Sequence, residues 1–341
     1  MTFKTFYLAI GATALMATTA HADEAVEIRD FVGTINWTNG PLEADVTDNA
    51  DKVDVSTRNG LTIDGGIEDI DNQGCKNTYA NWSWDWGKKK SEGTYGGYKD
   101  LKDYPVIDVT LPEDTELIVR NSVLFTIGEP NVGSADLELV SCGNVKLGRI
   151  DGDLKLISRG SADLDFGEAA SADIEIRGSS DIDGGDISGA VILNSRGSGD
   201  VDLGDIESLV ADLRGSGDLD VGDIDGGFAG SSRGSGDVDT GDIRGDMVFV
   251  ARGSGDLETG DVFAETAEIE VSGSSSLQID GGEIETLMVK ASGSSDITVE
   301  ADVTDANLRA SGSSEIYVDR VTGVAELKTS GSADIDIDAR D

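Results

Sequence analysis

A Gly-Ser pair returns at Gly160, Gly178, Gly197, Gly215, Gly234, Gly253, Gly273, Gly293, Gly312 and Gly331, in steps of 18 to 20 residues. A degenerate copy begins at Gly143. A fixed period of this length makes each unit one turn of a stack, because a single unit cannot bury its own apolar face. The clearest units read RGSGDVDLGDI (196–206), RGSGDLDVGDI (214–224) and RGSGDVDTGDI (233–243).

Aligning the units on that Gly produces columns. Four residues on stand Leu164, Ile182, Val201, Leu219, Val238, Leu257, Leu277, Ile297, Ile316 and Ile335, all aliphatic. Two further on, Phe166, Leu203, Val221, Ile279, Val299, Val318 and Ile337 repeat the pattern, with Gly or Thr in the other coils. Between the two columns lie Asp165, Asp183, Asp202, Asp220 and Asp239, then Glu258. This alternation is the period of a strand with one buried face. A second alternating run precedes each Gly-Ser, with Leu193, Phe249, Ile269, Val289, Leu308 and Leu327 inward and Ile192 and Val210 on the opposite face. Each unit therefore reads as strand, Gly-Asp turn, strand, Gly-Ser turn. Stacked, the units form an all-β parallel β-helix, or β-solenoid, with ~19-residue coils and two main strands per coil. At ~4.8 Å per coil, ten coils make a rod of roughly 50 Å.

The recurring GSGDV and GSGDL cores, with the approach segment YPVIDVTLPEDTELIVR (104–120), resemble the bacterial auto-transporter adhesin, head GIN domain family. The resemblance spans roughly 26–337. It implies an exported, right-handed parallel β-helix and supplies no catalytic motif. No run after Ile337 reads as a membrane β-barrel, which needs many further strands.

Residues 1–22 have the grammar of a bacterial secretory signal: Lys4, an apolar run too short to span a bilayer, and the A-x-A site Ala20-His21-Ala22. The expected destination is the periplasm, the exterior or the cell surface. Residues 23–130 read as irregular β coils with an aromatic-rich cap, and 131–341 as the regular solenoid. Cys75 and Cys142 would meet an oxidising compartment; one disulfide is the economical reading, two free thiols the alternative. The only His lies in the signal, so a zinc site or a catalytic triad is not expected.

The chain carries 67 acidic and 26 basic residues, a net charge of −41. That excludes grip on a nucleic-acid backbone. No segment of the mature chain is apolar enough for a transmembrane helix. The charge is ordered. Arg159, Arg177, Arg196, Arg214, Arg233 and Arg252 form a ladder one residue before the Gly, which then turns to Ser272, Ser292, Ser311 and Ser330. Three after the Gly run Asp163, Asp181, Asp200, Asp218, Asp237 and Asp256, then Ser276. Like charges one coil apart repel by roughly 1 to 3 kcal/mol near a surface. The Arg and Asp columns are expected to neutralise each other across the Gly-Ser turn, with some Asp capping turn N–H groups. The alternative is cation binding, with Asp200, Asp202, Asp218, Asp220, Asp237 and Asp239 as Ca²⁺ ligands; no other cofactor is expected.

Trp82, Trp84 and Trp86 share one face if extended, beside Lys88, Lys89 and Lys90. Rings beside positive charge suit a glycan, and bulky aromatics also suit a lid on the solenoid end. The expected function is therefore a non-enzymatic, adhesin-like binding or structural scaffold of the cell envelope, its partner a surface glycan or envelope protein. A calcium-binding structural solenoid and a carbohydrate-active β-helix enzyme are the alternatives. The last needs a few carboxylates in a singular cleft, whereas here Asp stands in rows.

Overall fold

The computed structural model describes residues 25–57, 60–68, 70 and 103–340. It is a β-solenoid of about 12 turns, 72% strand, with stacked parallel coils of about 19 residues. A single-turn 3₁₀ helix spans Ala50–Lys52. Among the described residues no helix is long and apolar enough to cross a membrane.

Three ladders run the length of the stack. The first holds the strands before the Gly-Ser turn, such as Ala169–Gly178 and Ile187–Gly197, paired Ile174 to Leu193 and Arg177 to Arg196. The second holds the short strands after it, Val201–Leu203, Leu219–Val221 and Val238–Thr240, paired Val201 to Leu219 to Val238. The third runs through Ile206, Ile224, Ile243 and Val262, directly after the Gly-Asp step. So the Gly-Asp step is a corner between two ladders rather than a simple reversal. Three later strands, Leu257–Gly273, Ser276–Gly293 and Asp296–Gly312, pass through that corner unbroken.

The stack extends into the N-terminal region. Ala25–Arg29 lies parallel to both Leu61–Asp64 and Glu116–Ile127, and the latter pairs with Ser134–Lys146. Two antiparallel additions interrupt the regularity there: Glu43–Asp48 on Val106–Leu111, and Asp54–Ser56 on Leu61–Asp64. Trp37 is a buried anchor of these coils, its Nε1 donating to the Gly128 carbonyl at 3.1 Å.

The inward columns make one continuous apolar core. Each buried aliphatic side chain contributes about 1.5–3 kcal/mol, and no coil has a second layer to share that burden. Volume is balanced between neighbouring coils. Gly184 stands beside Phe166 in the second ladder, where an added Cβ would lie 2.3 Å from the ring. Gly230 likewise yields to Phe249 and Phe228, whose ring centroids are 5.8 Å apart.

Candidate functional site

The outward columns carry the chemistry, and stacking dictates what each position can hold. At the Gly-Ser turn the backbones of successive coils touch. A Cβ on Gly197 would lie 1.7 Å from the carbonyl oxygen of Gly178, and one on Gly215 1.8 Å from that of Gly197. No side chain fits at these two positions, so their glycine is a product of coil spacing. Its inward neighbour Gly217 is equally confined, 2.1 Å from the Gly199 oxygen.

The Asp column after this turn is a chain of hydrogen bonds along the rod. The Asp181 Oδ1 accepts the N–H of Asp200 at 3.1 Å, Asp200 that of Asp218 at 2.9 Å, and Asp218 that of Asp237 at 2.8 Å. Asp256 closes the run on the N–H of Ser276 at 2.7 Å. From there the turn changes type. The inward glycine becomes Ser275, Ser295 and Ser314, the repeat glycine takes φ of 119° at Gly273 and 95° at Gly293, and the N–H of Glu315 bonds the Ser295 carbonyl instead. The lapse of Asp at position 276 therefore marks a switch of turn geometry.

A second Asp chain runs along the Gly-Asp corner. Asp186, Asp205, Asp223 and Asp242 each accept the N–H of the Asp one coil on, at 2.8 to 3.0 Å. The glycine before each Asp leaves room for the preceding carboxylate: a Cβ on Gly222 would meet Asp205 Oδ1 at 2.4 Å. The Asp223 pKa is lowered by the Asp242 N–H and by Arg244.

The arginine ladder is paired differently from the expectation. Arg159 bonds Glu138 at 2.6 Å, Arg177 bonds Glu175 at 2.5 Å, and Arg214 and Arg233 share Asp212 at 2.6 and 3.1 Å. Arg252 lies 3.9 Å from Glu270. These carboxylates stand on the same face, before the Gly. Neutralisation across the Gly-Ser turn is thereby corrected: the carboxylates beyond it are turned along the rod, toward backbone N–H groups. Ion pairs hold Asp212 below the usual carboxylate range against a desolvation that acts the other way.

The third acidic column, Asp165 to Asp239, is the least satisfied. Asp165 pairs with Lys146. Asp239 has its pKa raised, first by desolvation and then by Glu258, Asp220, Asp237 and Asp218. Of the residues considered as calcium ligands, Asp200, Asp218 and Asp237 belong to the hydrogen-bonded chain, and Asp202, Asp220 and Asp239 are the next column outward on the same ladder. Among the described residues no group of three or more His, Cys, Asp or Glu is gathered as a metal site.

Trp82, Trp84, Trp86, Lys88, Lys89 and Lys90 lie outside the described residues, as does the signal segment. Cys142 is disulfide-bonded; Cys75 lies outside the described residues.

Two outward features go beyond the sequence reading, which places Ile192 and Val210 on the outward face and no further. Ile192, Val210, Ala229 and Val248 form one outward column on the first ladder, with Ile192 41% and Val210 47% exposed. On the same ladder Lys290, Arg309 and Lys328 stand in register beyond Glu270. The alternation that located the inward column carried both, had its polar half been read coil by coil.

Stacked parallel coils, glycine corners and two carboxylate chains along the axis define an acidic β-solenoid repeat protein. The chain belongs to the family described as "Putative auto-transporter adhesin, head GIN domain", whose model matches residues 90–222 and 248–341. No curated protein matches it. Among solved structures it is similar to a putative adhesin from Bacteroides fragilis, 16% identical over 92% of each chain, with a TM-score of 0.22. It is also similar to a putative lipid binding protein from Parabacteroides distasonis, 17% identical over 92% of this chain and 93% of that one, with a TM-score of 0.20. Both superpose too loosely to carry an argument.

Proposed function

We propose that the protein is an exported, non-enzymatic scaffold of the cell envelope that adheres through its lateral faces. One observation carries this reading. Two rows of Asp carboxylates are spent on the backbone of the next coil, in the same environment each time. General acid–base chemistry needs a carboxylate whose surroundings differ from those of its partner. Within each of these two rows translation along the rod makes the surroundings alike. A long, flat, repetitive surface suits multivalent contact instead. Family membership and the secretory grammar of residues 1–22 support the same assignment.

The test is expression with the leader intact, followed by fractionation and an adherence assay. Recovery of a chain starting at Asp23 in the periplasm, on the surface or in the medium, with adherence of cells or beads displaying it, is expected. Retention in the cytoplasm, or steady cleavage of a polysaccharide abolished by a single Asp→Ala change, would overturn the reading.

A further inference from the structure

In four consecutive coils the first ladder departs from the rest of this acidic surface. Its outward positions there are Ile192, Asn194 and Arg196; Val210, Asp212 and Arg214; Ala229, Ser231 and Arg233; Val248, Val250 and Arg252. Four guanidinium groups face one carboxylate. Asp212 is shared by Arg214 and Arg233, Arg252 comes no nearer than 3.9 Å to Glu270, and Arg196 has no ion pair among the described residues. In a chain of net charge −41 this is a local surplus of positive charge. An apolar column runs parallel to it, four residues or ~13 Å away. A shallow groove of about 290 Å³ lies over this apolar column, lined by Ile192, Val210, Ala229 and Val248, with Asn194, Asp212 and Ser231 on the side toward the arginines.

We infer that this groove binds a thread of acidic polysaccharide laid along the rod axis. The inference rests on the adhesion reading and names its ligand class. Coil stacking places one arginine position every ~4.8 Å in a line, with Arg214 and Arg233 resting on Asp212. That is close to the rise of one sugar in an extended glycan, so a polymer with one carboxylate per residue meets one arginine per sugar. Arginine binds carboxylate through two parallel N–H donors. The apolar column receives the C–H faces of the rings. Width selects the thread over other polyanions. A bilayer or a nucleic-acid duplex reaching the arginines would also approach the Asp200 to Asp256 column just beyond the Gly-Ser turn. A single glycan chain need not, and charges farther than ~8 Å are largely screened at physiological ionic strength.

The test uses the full mature chain and polygalacturonate as the probe, with retention measured at low and at physiological ionic strength. Wild-type protein is expected to hold polygalacturonate, less tightly as salt rises. Arg196→Glu/Arg214→Glu/Arg233→Glu is expected to lose at least about tenfold in affinity, because three contacts are reversed in sign. Arg320→Glu, on another side of the rod and paired with Asp302, is expected to bind as wild type. If the triple variant loses its β-type circular dichroism, Arg196→Gln alone serves, and a loss of about threefold is expected. No retention at low ionic strength overturns the inference, as does equal retention by wild type and a folded variant. So does tighter binding to phosphatidylglycerol vesicles or to single-stranded DNA. An adherence assay separates the two readings. Arginine-dependent polygalacturonate binding by a chain that adheres to no cell removes only the adhesion reading. Unaltered adherence and retention in the triple variant remove only this inference.

Discussion

The carboxylate of Asp200 accepts the backbone N–H of Asp218, one coil later, at 2.9 Å. Asp218 repeats the contact on Asp237 at 2.8 Å. A row of like charges at coil spacing is thus a row of acceptors, each offsetting its repulsion with a charge-assisted hydrogen bond. Asp218→Ala removes one acceptor and strands one donor at a partly solvated turn. The expected loss is about 1 kcal/mol in urea melts. Amide exchange should accelerate at Asp237 and not at Asp200, whose own acceptor is Asp181. Asp218→Asn keeps the oxygen and should cost less.

Gly197→Ala tests the spacing argument. The new methyl carbon would sit 1.7 Å from the Gly178 oxygen, and the two glycines are paired in register at the end of the first ladder. The coils must part or the turn must refold, and the expected cost is above about 3 kcal/mol. Gly227→Ala is the control. Its nearest contact would be the Asp246 oxygen at 3.3 Å, which a shift of a few tenths of an ångström relieves, so the melting temperature should change far less than in Gly197→Ala. Equal melting temperatures for the two variants would count against stacking as the reason for the repeat glycine.

Much of this was legible in the sequence. The column from Leu164 to Ile335 and the fixed return of Gly-Ser establish parallel coils, because only stacking buries a face that recurs every 18 to 20 residues. The third ladder was less visible. Ile206, Ile224 and Ile243 recur once per coil without alternation around them, and a lone aliphatic after Gly-Asp reads as part of a turn. The destination of the charges was the hardest to see. Sequence spacing places Arg196 and Asp200 near one another, but the turn separates their columns: the paired arginines meet carboxylates on the strands before the Gly, on their own strand as Arg214 does with Asp212 or on the neighbouring coil as Arg233 does, while Asp200 points along the axis.

Acidity should act in two opposite senses. Asp212 and Asp223 have lowered folded pKa values. Their stabilisation is present above the unfolded carboxylate pKa and is lost as pH falls through the folded values. Asp163 and Asp239 have raised values, chiefly from desolvation. For them the folded state binds protons more readily than the unfolded one, so stability increases as pH falls through their raised values toward the unfolded pKa. The melting temperature should therefore rise on mild acidification and fall in stronger acid. Asp239→Asn should raise the melting temperature at neutral pH and flatten the mild-acid rise. A monotonic fall from neutral pH, unchanged in that variant, would contradict the assignment.

Calcium separates the scaffold reading from the structural-cation alternative. The second ladder presents Asp202, Asp220, Asp239 and Glu258 in register, one per coil. A Ca²⁺ ion takes six to eight oxygens, and in a single column only two neighbouring carboxylates face any one gap. The inner column offers little more, because an Oδ1 of Asp200, Asp218 and Asp237 is already bonded to backbone. Divalent ions should then act by screening. The chain should give a β-type spectrum in EDTA, and millimolar calcium and magnesium should raise its melting temperature by similar amounts. Asp202→Asn/Asp220→Asn/Asp239→Asn should raise the melting temperature in EDTA by relieving repulsion, and should shrink the response to both ions together. A large rise with calcium alone, lost in that variant, would show that the column chelates. Folding that required calcium would make the acidic rows ligands first and structural elements second.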